Sequence, residues 1–283
     1  MSIVITGATG KLGGSTVDAL VQRGVEPSEI VAAGRNLDRL AEQAAKGVRT
    51  VRFDIDDPAT LSAAFDGARK VFLVSVPGNP RRVEQHRDAI YAAKAAGVEL
   101  LAYASFVLAG KDSDHADHEA TEQVLRESGV PHVVLRNGVY FSYFARQIPG
   151  WREQGAVVGA AGNGRISAAA HVDLAEATAT VLTTPGHEDG VYQLGSDEPF
   201  TMSEFAAELS RQTGETIPYE DLSVDEFKAH LVGSGLTEVA AERRSNVDRA
   251  MAAGLYAIDS GDLRRLVGRP PVTLSAAIAQ AFG

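Results

Sequence analysis

Gly7, Gly10 and Gly13 stand at three-residue intervals in Gly7-Ala8-Thr9-Gly10-Lys11-Leu12-Gly13, directly after the apolar run Ile3-Val4-Ile5. Glycines so placed let a chain turn sharply from strand into helix, and they let a pyrophosphate reach the main chain. A helix expected over residues 12–23 offers unpaired N–H groups and a positive dipole end to that anion. The stretch therefore points to a dinucleotide held by Gly7, Thr9, Gly10, Lys11, Leu12 and Gly13, with a plain glycine turn as the alternative. The next charged group with a chemical reading is Arg35, in Ala32-Ala33-Gly34-Arg35-Asn36. A site for NAD usually has Asp or Glu here, accepting from both ribose hydroxyls. A guanidinium instead suits the 2′-phosphate of NADP(H), with Lys11 as a second positive charge; a solvated strand-end arginine is the alternative.

Further along, Asp54-Ile55-Asp56 follows the third strand. Asp54 and Ile55 are expected either at the adenine or in an acidic turn before the next helix. Ser75, Val76 and Pro77, after the fourth strand, should run beneath the ribose and nicotinamide. Asp114, His115, Asp117, His118 and Glu122 crowd one stretch, but no further spaced ligand group accompanies them, so no metal is expected. His118 and Glu122 form an i, i+4 pair on one helical face. An imidazole there can donate a proton near neutrality; a surface His–Glu pair is the other reading.

These groups need a scaffold. Strands are expected over residues 2–6, 29–33, 49–53, 70–74, 100–104 and 132–136, nearly continuous in apolar character and so covered on both faces. Asp57-Pro58 reads as a helix start, and Gly24, Gly97 and Gly129 as helix stops. Alternating strands and helices predict an α/β fold, a doubly wound parallel (Rossmann) sheet with its ligand at the strands' carboxyl ends. The rhythm breaks after Tyr140. Residues 151–164 are glycine-rich, and two capping boxes follow, at Thr201–Glu204 and Ser223–Glu226. We expect a dinucleotide-binding domain over 1–150, rejoined by 171–195, and a smaller, mainly helical substrate-binding domain over 151–283.

With 283 residues, 45% of them hydrophobic, the chain can bury a large core. Asp and Glu outnumber Lys and Arg 37 to 27, and no basic block appears, so nucleic acid is not an expected partner. No apolar run would span a bilayer, and the first strand begins too early for a leader, so a cytoplasmic protein is expected. Cysteine is absent, which removes disulfides and thiolate chemistry.

Two residues between the first glycines, with Thr6 and Thr9 alongside, make the loop similar to those of extended and atypical short-chain dehydrogenases/reductases. That resemblance makes Ser105, in Tyr103-Ala104-Ser105-Phe106, the serine that orients a substrate carbonyl. It also makes His118 and Glu122 the replacements for a Tyr-x-x-x-Lys pair, and a carboxylate cannot lower a tyrosine pKa as that lysine does. Leu135-Arg136-Asn137-Gly138-Val139-Tyr140-Phe141, His171-Val172-Asp173-Leu174-Ala175 and Ser260-Gly261-Asp262-Leu263 with Leu266-Val267-Gly268-Arg269-Pro270 resemble the NmrA-like atypical short-chain reductases across essentially the whole chain. The resemblance implies NADP(H) at the sheet edge, with Ser105 and Asn137 among its contacts, and a cleft beneath the small domain.

Family members include enzymes that pass hydride from NADPH directly to quinones without flavin. Such a reaction asks for stacking and proximity more than for a proton relay. His118, Ser105 and Tyr140 are the expected catalytic residues. Phe106, Tyr140, Phe141, Tyr143, Phe144 and Trp151 are candidates for a flat apolar pocket, of which two or three should face a ligand. The leading expectation is thus an NADPH-dependent oxidoreductase acting on a quinone or similar small molecule, with a homodimer permitted. A non-catalytic NADP(H) sensor working through a protein partner, and a reductase or epimerase of another small carbonyl compound, stay open beside it.

Overall fold

The computed structural model of the chain describes residues 2–76, 79–111 and 115–282. The first elements alternate as expected: β1 (Ile3–Ile5), α1 (Lys11–Gln22), β2 (Ile30–Gly34), α2 (Ala41–Ala45), β3 (Arg49–Arg52) and α3 (Pro58–Phe65). β4 (Lys70–Val74), α4 (Arg82–Ala95), β5 (Leu100–Phe106), α5 (Ala116–Ser128) and β6 (His132–Asn137) continue the pattern. Then come α6 (Phe141–Ala145), α7 (Ile148–Gln154), β7 (Val157–Gly159), α8 (His171–Thr183), β8 (Val191–Leu194) and α9 (Met202–Thr213). The chain closes with β9 (Tyr219–Asp221), α10 (Val224–Gly233), α11 (Glu238–Ala252), α12 (Asp262–Val267) and α13 (Leu274–Phe282).

Seven strands form one parallel sheet in the order β3-β2-β1-β4-β5-β6-β8. β1 lies between β2 and β4, so the strand order reverses there, and a crevice opens outside the carboxyl ends. β1 and β2 are buried along their whole length, which their unbroken apolar sequences require. Helices α3, α4 and α5 lend Leu61, Phe65, Ile90 and Leu125 to the core on one face, against Val4, Val71 and Tyr103. α1 packs on α8. The Thr6 hydroxyl ties β1 to β4, donating to the Phe72 carbonyl (3.1 Å) and accepting from the Val74 N–H (2.9 Å).

β8 was not expected as a strand. Val191-Tyr192-Gln193-Leu194 is short and lies at the sheet edge, half exposed, so it lacks the apolar run that marks the inner strands. Asp57 caps α3 through the Ala59 N–H, and both capping boxes form, at α9 and α10.

The chain divides into two compact units. The first gathers everything up to Asn137 with His171–Leu194 and Asp262–Arg269; the second holds Gly138–Ala170, Gly195–Gly261 and the chain from Pro270 onward. The change of unit thus comes at the end of β6, earlier than residue 150, and α12 also returns to the first unit. The reason is the aromatic run after β6. Phe141, Phe144 and Trp151 are buried with Phe200 and Phe205 of the second unit, ring centroids 5.5–6.0 Å apart. The glycine-rich stretch holds the end of α7 and the strand β7, which pairs in parallel with β9. The second unit is therefore helical with a two-stranded sheet.

Candidate cofactor site

Gly7 adopts φ +60°, a left-handed turn, and a Cβ there would stand 3.2 Å from Val74 Cβ. Gly10 is the exposed N-cap residue of α1, with no side chain capping the helix. The first N–H groups of the helix, from Lys11 onward, therefore remain available to an anion. Gly13 is the packing glycine of the three: an added Cβ would meet the Gly7 carbonyl oxygen at 2.4 Å.

Gly7, Thr9, Gly10, Arg35, Asp54, Ile55, Ser75 and Val76 share the wall of one cavity of about 270 Å³. Leu12 and Gly13 are buried behind the loop and Lys11 is exposed at its start. Pro77 lies outside the described residues. Asp54 lines the cavity, and its carboxylate accepts from the Asp56 N–H (3.3 Å). Arg39 was not singled out in the sequence; its Nη2 donates to the Thr9 carbonyl (3.4 Å), adding a second guanidinium beside the loop. Its spacing of four from Arg35 was the available signal. Gln85 was also missed: its Nε2 donates to Asp56 Oδ1 (2.8 Å).

The residues present fit a dinucleotide phosphate. The three glycines keep side chains out of the turn, and the helix start is uncapped.

Ser105, His118, Glu122 and Asn137 do not line this cavity. Asn137 ends β6, buried, its carbonyl accepting from the Val107 N–H (2.9 Å). The Ser105 hydroxyl donates to Glu122 Oε1 at 2.6 Å, and Arg136 clamps the same carboxylate through Nε (2.9 Å) and Nη2 (2.6 Å). That charge-assisted pair holds the Arg136 pKa above its ordinary value. His118 and Glu122 are buried, so the surface-pair reading fails. His118 stands between Arg82 Nη1, 3.1 Å from Nε2, and the Tyr103 hydroxyl, 3.1 Å from Nδ1. Burial first, then the Arg82 charge, lowers its pKa to about 4. Burial likewise lifts the Tyr103 pKa well above the usual phenol value.

Of the metal-like cluster, Asp117 pairs with Arg82 (2.8 Å) and Glu122 with Arg136, while Asp114 lies outside the described residues. Of the six aromatics, Phe141, Phe144 and Trp151 are core, and Phe106 lies tilted against His115, ring centroids 4.7 Å apart. Tyr140 is the N-cap residue of α6 and pairs with Ala169 as an isolated bridge, both in the second unit. No described helix is long and apolar enough to cross a membrane.

Comparison with known proteins agrees with this construction. The chain is 37% identical to quinone oxidoreductase 2 of Escherichia coli over 99% of its own length and 98% of that protein's. The crystal structure of the Escherichia coli NADPH-dependent quinone oxidoreductase, complexed with NADPH, superposes with a TM-score of 0.95 at 37% identity, covering 99% of this chain and 100% of that one. The Citrobacter sp. triphenylmethane reductase complexed with NADP(H) matches with a TM-score of 0.93 at 34% identity, over 99% and 100% of the two chains. The model of the NmrA-like family matches residues 1–253, and the chain belongs to that family.

Proposed function

We propose that this protein is an NADPH-dependent oxidoreductase whose acceptor is a quinone or a similar small molecule, reduced without flavin. NADPH, when bound, supplies a hydride to the acceptor, and a proton from water completes the quinol. Lys11 and Leu12 would hold the pyrophosphate through the uncapped start of α1. Arg35 would pair with the 2′-phosphate at the end of β2, Arg39 at the Thr9 carbonyl would add positive charge to the loop, and Ser75 and Val76 would support the nicotinamide end.

One observation carries the choice of acceptor. The Ser105 proton is committed to Glu122, and His118 is held neutral with both ring nitrogens occupied. Neither is free to donate to a carbonyl oxygen. A quinone needs no such donor, because it accepts hydride readily and its product is protonated from solvent. The relatives support the same reading, since the Escherichia coli protein is a quinone oxidoreductase and its structure holds NADPH.

The test is NADPH consumption, followed by its absorbance, with a benzoquinone and with a simple ketone. Turnover on the quinone alone, by protein free of flavin absorbance, is the expected result. Bound flavin would refute direct reduction. Tight NADPH binding with no turnover on any acceptor would favour a sensor, which the same closed polar layer also suits.

A further inference from the structure

Between α4 and α5 lies a buried polar layer that the cofactor cavity does not use. Its centre is Arg82, the first residue of α4, with its side chain 11% exposed. Nε donates to the Val76 carbonyl (2.8 Å), and Nη1 reaches both Asp117 Oδ2 (2.8 Å) and His118 Nε2 (3.1 Å). Val76 lines the cofactor cavity, so this side chain joins the exit of β4 to the helix bearing His118.

We infer that Arg82 is a positioning residue that holds His118 as the neutral imidazole protonated on Nδ1 and pins the Val76 carbonyl beneath the cofactor site. The assignment follows from donor counting. A guanidinium has five N–H donors and no acceptor, so His118 Nε2 must accept from it. The one proton of the neutral ring is then on Nδ1, and it donates to the Tyr103 hydroxyl. An imidazolium would point an N–H at Nη1, donor against donor, beside a fixed positive charge.

The other groups around the ring do not reverse this. From α4, His86 stands nearby, itself buried and held neutral; its Nδ1 lies 3.2 Å from the Thr121 hydroxyl. From β5 comes the uncharged Tyr103. His115, the N-cap residue of α5, disfavours the cation, while Asp117 and Glu122 within α5 favour it. Those two carboxylates are already paired, with Arg82 and with Arg136. His118 therefore lies where the short-chain reductase pattern has its proton donor, yet its one N–H is taken up by the Tyr103 hydroxyl.

The inference deepens the quinone reading and rests on it only for its meaning to catalysis. ¹⁵N-histidine NMR tests it directly, the His118 resonances being assigned from an H118Q variant. The expected result is a wild-type ring that stays neutral below about pH 5, with the proton on Nδ1. In R82M, which keeps length and apolar bulk without a donor, the His118 pKa should rise by about one unit or more, and R82K should restore part of the difference. Quinone reduction by R82M should gain a pH-dependent limb that disappears in R82M/H118Q, with a higher KM for NADPH from loss of the Val76 contact. A proton on Nε2, or an ordinary imidazole titration of wild-type His118, would overturn the inference. Should R82M fail to fold, the wild-type tautomer and R82K decide it alone. Absence of turnover on every quinone would reject the acceptor reading and leave the NMR result standing.

Discussion

Arg35 is exposed on the wall of the cavity, free of the crowding that would fix it for packing alone. If it pairs with a 2′-phosphate, NADPH should bind more tightly than NADH. Arg35→Asp replaces that pair by repulsion, a change of about 1.5–3 kcal/mol, or about tenfold in affinity or more. Calorimetry with both nucleotides checks it, and equal affinities in the wild type would remove the argument. A second expectation follows from Ser105 and His118. General acid catalysis contributes about 10²–10⁴-fold, so Ser105→Ala and His118→Ala should each slow quinone reduction by less than about a hundredfold. A loss beyond ten-thousandfold in His118→Ala would bring back the carbonyl-reductase reading. That the glycine loop and Arg35 come to one cavity could be read from sequence, because both follow the ends of neighbouring strands. The replacement of Tyr and Lys by His118 and Glu122 was equally visible. What replaced their chemistry was not, because Arg82 and Arg136 meet α5 from a different helix and strand. Arg136 was legible only as part of a family motif, with nothing local to name its partner.

Strand β1, the loop and α1 act as one element, and its glycines have separable duties. Gly10 has extended backbone angles that valine tolerates, and a Cβ there meets only the Gly7 carbonyl, at 3.3 Å. Gly10→Val should therefore fold, with a thermal midpoint close to wild type, and lose NADPH affinity because its branches stand where the pyrophosphate approaches. Gly13→Ala should do the reverse damage. Its Cβ would press on the backbone of Gly7 and Ala8 at 2.4–2.9 Å, and overpacking of this kind costs about 1–3 kcal/mol. Denaturant titration of both variants, beside nucleotide binding, separates the two duties. A folded Gly10→Val protein with wild-type affinity would show that the loop does not hold the phosphate. At this scale the sequence spoke clearly wherever burial was two-sided. Five of the expected strands announced themselves through apolar runs; β3, Arg49-Thr50-Val51-Arg52 at one sheet edge, was expected too but is exposed or half-buried, and β8 on the other edge and the short pair β7–β9 gave no such run.

Over the whole molecule, the division into units follows burial of aromatics more than chain position. The alanine-rich helix α8 and the later α12 both belong to the first unit, whereas the sequence predicts only the return of α8. The ties of α12 are long-range, the Thr180 hydroxyl donating to the Leu266 carbonyl (2.8 Å) and Asp262 accepting from the Gln193 N–H (2.8 Å). The first unit also carries a pH liability that composition alone conceals. His86 and His118 are buried between α4 and α5, and burial lowers their pKa values from 6.5 to about 3 and about 4. Each folded value lies below the unfolded one, so the unfolded chain binds more protons in the interval between them. Stability from these histidines is complete above pH 6.5 and declines as pH falls through 6.5 toward the folded values. Between about pH 6.5 and pH 5 the loss is roughly 1.5 kcal/mol per histidine. Urea unfolding should therefore show a falling midpoint across that range, and His118→Gln should flatten part of the fall. An unchanged midpoint from neutrality to about pH 5 would mean that the two rings are solvated, and the buried polar layer between α4 and α5 would have to be abandoned.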